Sequence, residues 1–131
     1  MNIPKENEDL LFGKNFAHVA TINPDGSPQV TPMWVDYDKD RNEILVNTAK
    51  GRKKARNMKL GSKVALSVPD SLNPYRYVSI QGEVIEVITE GALDHINFLA
   101  LKYMGKEKYP LSKGEIRVLI RIKPIYVHSM G

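Results

Sequence analysis

Apolar and polar positions alternate over most of this chain, and a period of two predicts strands. Phe16 to Ile22 alternates apolar with small or polar residues and runs into Asn23-Pro24-Asp25-Gly26. Pro suits the second position of a turn and Gly accepts a positive φ near its end, so this tetrapeptide predicts a hairpin. The returning strand runs from Pro28 to Tyr37. A polar turn, Asp38 to Asn42, leads to a third strand, Glu43 to Asn47, with Ile44, Leu45 and Val46 at its centre. The three form a predicted meander. Further strands are predicted at Lys63 to Val68, at Tyr75 to Thr89 and at Glu115 to His128. Gly82 interrupts the long fifth run, where a glycine marks a bulge or a close approach by another backbone.

Helical spacing is rarer. Asp9 to Phe12 predicts a short opening helix, and the basic segment after Asn47 predicts a second that reaches Leu60 and ends at Gly61-Ser62. Leu93, Ile96, Leu99, Ala100 and Tyr103 recur at the interval of a third. Six strands with short turns and two or three helices predict a mainly β fold. Its expected form is an antiparallel barrel, which removes exposed edges by closing the sheet, with the second helix across one opening.

Composition narrows the chemistry. A chain of 131 residues with 42% apolar content is expected to build one domain, residues 1–131. It has no cysteine, so disulfides, thiolate metal sites and cysteine nucleophiles are excluded. The first eight residues are polar, and no apolar run approaches the ~20 residues of a membrane span, so a cytoplasmic address is expected.

Charge is nearly balanced overall, 19 basic against 15 acidic residues, but not locally. Between Ile44 and Pro69 stand seven Lys or Arg and no Asp or Glu. Their core is Asn47-Thr48-Ala49-Lys50-Gly51-Arg52-Lys53-Lys54-Ala55-Arg56-Asn57-Met58, a hydroxyl and a cluster of cations directly after a strand. Such a junction suits a phosphate, because unpaired N–H groups, the positive end of a helix and side-chain cations act together. A solvated basic face or a nucleic-acid surface has similar composition. Single-stranded nucleic acid wants aromatic residues among the cations for stacking, and residues 44–69 contain none. A phosphorylated cofactor is the favoured ligand.

His18, His95 and His128 are scattered, with no metal-ligand spacing, and His95 is expected on a helix surface. No metal site is expected, and no catalytic residue is assigned. Trp34 reads either as core or as a stacking surface for a planar ligand. The chain has no G-x-G-x-x-G, G-x-x-x-x-G-K or G-x-S-x-G motif, which speaks against a Rossmann dehydrogenase, a P-loop nucleotidase and a serine hydrolase.

Phe16-Ala17-His18-Val19-Ala20-Thr21, Gly26-Ser27-Pro28, Pro32-Met33-Trp34 and Tyr77-Val78-Ser79-Ile80-Gln81-Gly82-Glu83, in this order, resemble the split-barrel flavin-binding proteins related to pyridoxamine 5′-phosphate oxidase. The resemblance implies a six-stranded split barrel and places the flavin phosphate at Thr48, Lys53 and Lys54. It also has departures. Cations that serve the flavin in the oxidase fall on Thr31 and Asp36, and a flavin-contacting Gln falls on Tyr77. No extension with the Trp and Arg that bind pyridoxal phosphate follows the last strand, so oxidation of pyridoxamine phosphate is not expected. Thr48-x-x-Gly51-Arg52-x-Lys54-x-x-Asn57, with Pro32-x-Trp34 upstream, looks more like the branch that uses the deazaflavin coenzyme F420. That branch implies an oxidoreductase passing a hydride between F420, or flavin mononucleotide (FMN), and a small electron-poor acceptor. It further implies a homodimer with shared sites, in which Tyr77 or Gln81 of one subunit nears the ring held by the other. The alternative is a non-catalytic barrel that binds or carries a phosphorylated cofactor, or binds nucleic acid through the basic helix.

Overall fold

The computed structural model describes residues 1–131. After a 3-10 turn at Lys5–Asn7, the elements are α1 (Glu8–Phe12), β1 (Ala17–Ile22), β2 (Pro28–Met33), β3 (Asp36–Asp38), β4 (Glu43–Ala49), α2 (Lys53–Asn57), β5 (Lys63–Asp70), β6 (Asn73–Ile88), α3 (Ala92–Met104) and β7 (Arg117–Met130). All strands lie in one antiparallel sheet of order β2-β1-β5-β6-β7-β4-β3.

The expected six strands are seven. The run Pro28 to Tyr37 divides at Trp34 and Val35, and its halves sit at opposite edges of the sheet. No continuous three-stranded meander exists, because β2 pairs with β1 while β3 pairs with β4. Three peptide steps join Met33 to Asp36 and reach about 10 Å. The sheet must therefore curl until its two edges are neighbours, which is a split barrel.

Curling needs bends, and β6 supplies them through register shifts between Gln81 and Gly82 and between Val84 and Glu86. At Gly82 a Cβ would lie 2.6 Å from Ile122 Cγ2 and 2.9 Å from the Lys123 carbonyl. The interrupted run thus marks both a bulge and a close backbone approach. The hairpin turn forms as expected, with Gly26 N–H donating to the Asn23 carbonyl at 2.9 Å and φ +88° at Gly26.

One core of 21 buried residues fills the barrel, and Leu10 and Leu11 of α1 and Met58 after α2 belong to it. α3 lies outside the sheet on β4 and β7. Its buried face is Ala92, Ile96, Leu99, Ala100 and Tyr103, so Ala92 takes the place expected of Leu93, which is exposed. β4 is buried along its whole length because Ile44 and Val46 face the barrel interior while Leu45 faces α3. The second helix is much shorter than expected. It stops at Asn57, since Met58 turns into the core.

The β2–β3 joint is held by α3. Val35 is fully buried; its N–H donates to Tyr103 Oη at 3.1 Å and its carbonyl accepts from Lys102 Nζ at 2.7 Å. Lys102 also donates to the Leu11 carbonyl at 2.8 Å, and Tyr103 Oη donates to the Asn15 carbonyl at 2.6 Å.

Burial lowers Lys102 to about 8, although Asp36 opposes it. Burial also raises Tyr103 to about 12. Between pH 8 and 10.5 the unfolded lysine holds a proton that the folded one has lost, so stability should rise with pH. Between pH 10 and 12 the unfolded tyrosine has lost a proton that the folded one keeps, so stability should then fall. Urea midpoints across this range should rise and then decline; Lys102→Met should shrink the rising limb, to which half-buried Lys54 also adds, and Tyr103→Phe should shrink the falling one, to which buried Tyr37 also adds. A profile unchanged by both substitutions would contradict the clamp.

Candidate functional site

The alternation of β4 decides what faces where. Thr48 points inward with Ile44 and Val46, and Asn47 points outward into a cleft beneath α3. The cleft has a volume of about 150 Å³. One wall is aromatic and apolar: Phe16, Met33, Trp34 and Tyr109, with Pro32 and Ile96 beside them. The other is polar: Asn47, Arg52, Lys54 and Arg117.

Trp34 is packed against neighbouring aromatics and also borders the cleft. It is half-buried, stacked on Tyr103 at 5.2 Å with planes 3° apart, and met edge-on by Tyr109 at 5.9 Å. The joint that turns the chain from one sheet edge to the other thereby holds an indole rigidly at the cleft.

Of the residues singled out in the sequence, the structure brings Pro32, Trp34, Asn47, Arg52 and Lys54 together. It places the others elsewhere in this chain. Lys53 is exposed, and Asn57 Nδ2 donates to Thr21 Oγ1 at 3.2 Å and to Asn23 Oδ1 at 2.9 Å, tying α2 to the first hairpin. Gln81 lines a separate groove of about 410 Å³ with Ala20, Ile22, Ala65 and Ile125. Tyr77 lies on β6 beside His128, ring centres 6.2 Å apart. Lys50 and Arg56 border a third hollow, and Arg56 donates to the Gly51 carbonyl at 2.6 Å. With five residues, α2 adds little dipole; the positive field of the cleft comes from side chains.

Arg117 was not legible as a site residue. It is 6% exposed, donates through Nε to Asn47 Oδ1 at 2.9 Å and pairs with Glu115 Oε2 at 2.8 Å, with its guanidinium 4.8 Å from the Tyr109 ring centre. The available signal was a cation inside an apolar alternating strand, which needs a buried partner. Arg117 holds Glu115 below the usual carboxylate range. Lys54 is lowered by burial first, then by Arg52 and Arg117. Three cations thus face one carboxylate, and the excess suits an anion.

His95 is also corrected. It is not a free surface residue: its ring sits between Asn47 Nδ2, 3.1 Å from Nδ1, and Asp36 Oδ2, 3.3 Å from Nε2. Asp36 is thereby engaged with α3.

Thr48 Oγ1 is fully buried and has no hydrogen-bond partner. An unpaired buried hydroxyl costs about 1–3 kcal/mol. Thr48→Val, measured by urea denaturation without ligand, should therefore raise stability by roughly 1 kcal/mol. A loss of stability would show that the hydroxyl is satisfied.

The family described as pyridoxamine 5′-phosphate oxidase matches residues 3–130. Among solved structures, one titled F420 reductase is 32% identical, covers 96% of this chain and 98% of its own, and superposes with a TM-score of 0.84. A conserved hypothetical protein from Mycobacterium tuberculosis is 26% identical over 99% of this chain and 85% of its own, TM-score 0.76. An FAD and heme binding protein from Mycobacterium smegmatis, 17% identical over 99% of this chain and 71% of its own, shares the fold with a TM-score of 0.70. No curated protein matches the chain. No helix is long and apolar enough to cross a membrane. On the match across residues 3–130, with the split barrel and its cleft in place, this chain belongs to the pyridoxamine 5′-phosphate oxidase family.

Proposed function

We propose that the protein is an F420-dependent oxidoreductase, with FMN as the weaker ligand, and that a phosphorylated tricyclic cofactor occupies the cleft beneath α3. The observation that carries this reading is the pairing of a fixed aromatic wall with an excess of cations: Trp34 and Tyr109 face Arg52, Lys54 and Arg117. The 32% identity to an F420 reductase favours deazaflavin over flavin. The residues fit such a group. Asn47 turns its side chain to the cleft, and Lys54 is half-buried there without an acidic partner.

When bound, the reduced cofactor supplies a hydride to an electron-poor acceptor. The chain's own part is to bind and orient. Trp34 presents a flat apolar surface whose rotation is blocked by Tyr103 and Tyr109. Arg52 and Lys54 attract the anionic portion, and Phe16, Met33 and Ile96 keep water from that wall. Glu115 is tied to Arg117, so no free acid is assigned as a proton donor. A barrel that carries the cofactor without turning it over would use the same cleft; turnover with an electron-poor acceptor separates the two.

At about 150 Å³ the cleft is smaller than the roughly 300–1,000 Å³ typical of ligand pockets. That small volume favours a shared-site homodimer, in which a second chain completes the wall. Tyr77 and Gln81, remote from the cleft of their own chain, suit contact with a partner's cofactor.

Lys54→Ala should weaken F420 binding by ~1.5–3 kcal/mol, the scale of a charge-assisted hydrogen bond, while Lys39→Ala leaves it unchanged. Binding of F420 should exceed that of FMN and weaken with salt. Titration of purified protein with each cofactor, followed by absorbance, decides it; nanomolar FMN binding with no F420 binding would reverse the choice. Sedimentation should give twice the 14.8 kDa chain mass. A monomer that binds cofactor tightly would refute the shared site.

A further inference from the structure

Asn47 is held at both ends of its amide, and the two ends decide its orientation independently. Arg117 Nε–H can only donate, so the atom 2.9 Å from it is the amide oxygen. The Ala92 carbonyl can only accept, so the atom 2.9 Å from it is the amide nitrogen. Nδ2 therefore has one remaining hydrogen, and it faces His95 Nδ1 at 3.1 Å. That ring nitrogen must carry a lone pair. The ring proton then sits on Nε2 and is directed to Asp36 Oδ2 at 3.3 Å, while Asp36 Oδ1 accepts from Tyr37 N–H at 2.8 Å.

We infer that His95 and Asp36 are positioning residues for the cleft: neutral His95 in its Nε2–H form fixes Asn47, and Asn47 fixes Arg117. His95 itself does not line the cleft, whereas Asn47 and Arg117 do. The chain of contacts runs from β3 through α3 to β4 and β7, so the helix ties together three neighbouring strands at one side of the sheet.

Protonation breaks the chain at one bond. The imidazolium keeps its attraction to Asp36 but turns Nδ1 into a donor, opposite the Nδ2–H that it previously accepted. Asn47 must then release His95 or rotate its amide. Rotation would strand the Ala92 carbonyl and set the amide nitrogen against Arg117 Nε–H, so either response loosens the polar wall. The charged group on His95 is Asp36 from β3, which also acts on Lys102 of α3, and beyond Asn47 stands Arg117 of β7 with Glu115. Asp36 is the carboxylate in direct contact. It faces Nε2, and Asn47 Nδ2–H faces Nδ1.

Two measurements test this, and only the second rests on the proposed cofactor. The first is nitrogen-15 NMR of the imidazole and side-chain amide groups in cofactor-free protein. At the alkaline end of the range from about pH 5 to 8, His95 should show the Nε2–H form. The Asn47 Nδ2 and Arg117 Nε signals should move with the titration of His95. An Nδ1–H form, or Asn47 and Arg117 signals indifferent to that titration, would overturn the inference.

The second is the affinity for coenzyme F420 across the same range. It should fall roughly fivefold as His95 charges, the equivalent of one hydrogen bond, and the fall should vanish in His95→Gln. Asp36→Asn, which removes the charge and one of the two acceptor oxygens, should move both the NMR midpoint and the affinity profile to lower pH. Identical profiles in wild type and Asp36→Asn would also overturn it, even if His95→Gln does not fold. If F420 binds at no pH, the cofactor reading fails, and the NMR coupling alone sustains or refutes the positioning role.

Discussion

The structure depends on what happens to the peptide groups of Val35. This residue lies where the sheet runs out, fully buried, with no strand to take its N–H or its carbonyl. Leaving both unpaired would cost several kcal/mol. α3 supplies the partners: Tyr103 Oη takes the N–H and Lys102 Nζ bonds the carbonyl. Because the same two side chains also reach Asn15 and Leu11, the clamp joins the β2–β3 corner, the helix and the N-terminal segment at one point. The split barrel is shut by side chains of a helix where the backbone ladder stops.

That arrangement also builds the cleft. Trp34, the residue before the clamped one, projects onto the Tyr103 ring that forms the clamp, so the aromatic wall and the closure share one side chain. Across the cleft, β4 passes between α3 and the barrel core and divides Asn47 from Thr48 by one residue. Asn47 joins the polar wall; Thr48 ends in the core with an idle hydroxyl. The cations follow because α2 is short, its chain being drawn inward at Met58, which leaves Arg52 and Lys54 at the rim.

The polar wall is a network, not a row of independent charges. Glu115, Arg117, Asn47, His95 and Asp36 are connected by contacts of 2.8 to 3.3 Å across four elements and a loop. Asp36, which stands where related flavin enzymes carry a cation according to the resemblance, is engaged by His95. Arg117, from the last strand, brings its charge to the cleft.

Local physics made much of this protein legible from its residues alone. Alternation at Phe16–Ile22, the turn residues Asn23 to Gly26 and the spacing of Ile96, Leu99, Ala100 and Tyr103 each encode an element through contacts a few residues apart. The same holds for Gly82, whose missing side chain predicts crowding. The motif order pointed to the family, and the basic segment contributes two of the cations that line the cleft. Tertiary structure decided what depends on distant partners. Trp34 and Val35 look like the middle of a strand, and only the return of β3 to the far edge of the sheet makes them a corner. Arg117 and His95 are apart in sequence from Asn47 by 70 and 48 residues, so no periodicity could pair them. Lys53 and Lys54 are adjacent and chemically identical; burial in the folded chain places one at the cleft and leaves the other in solvent.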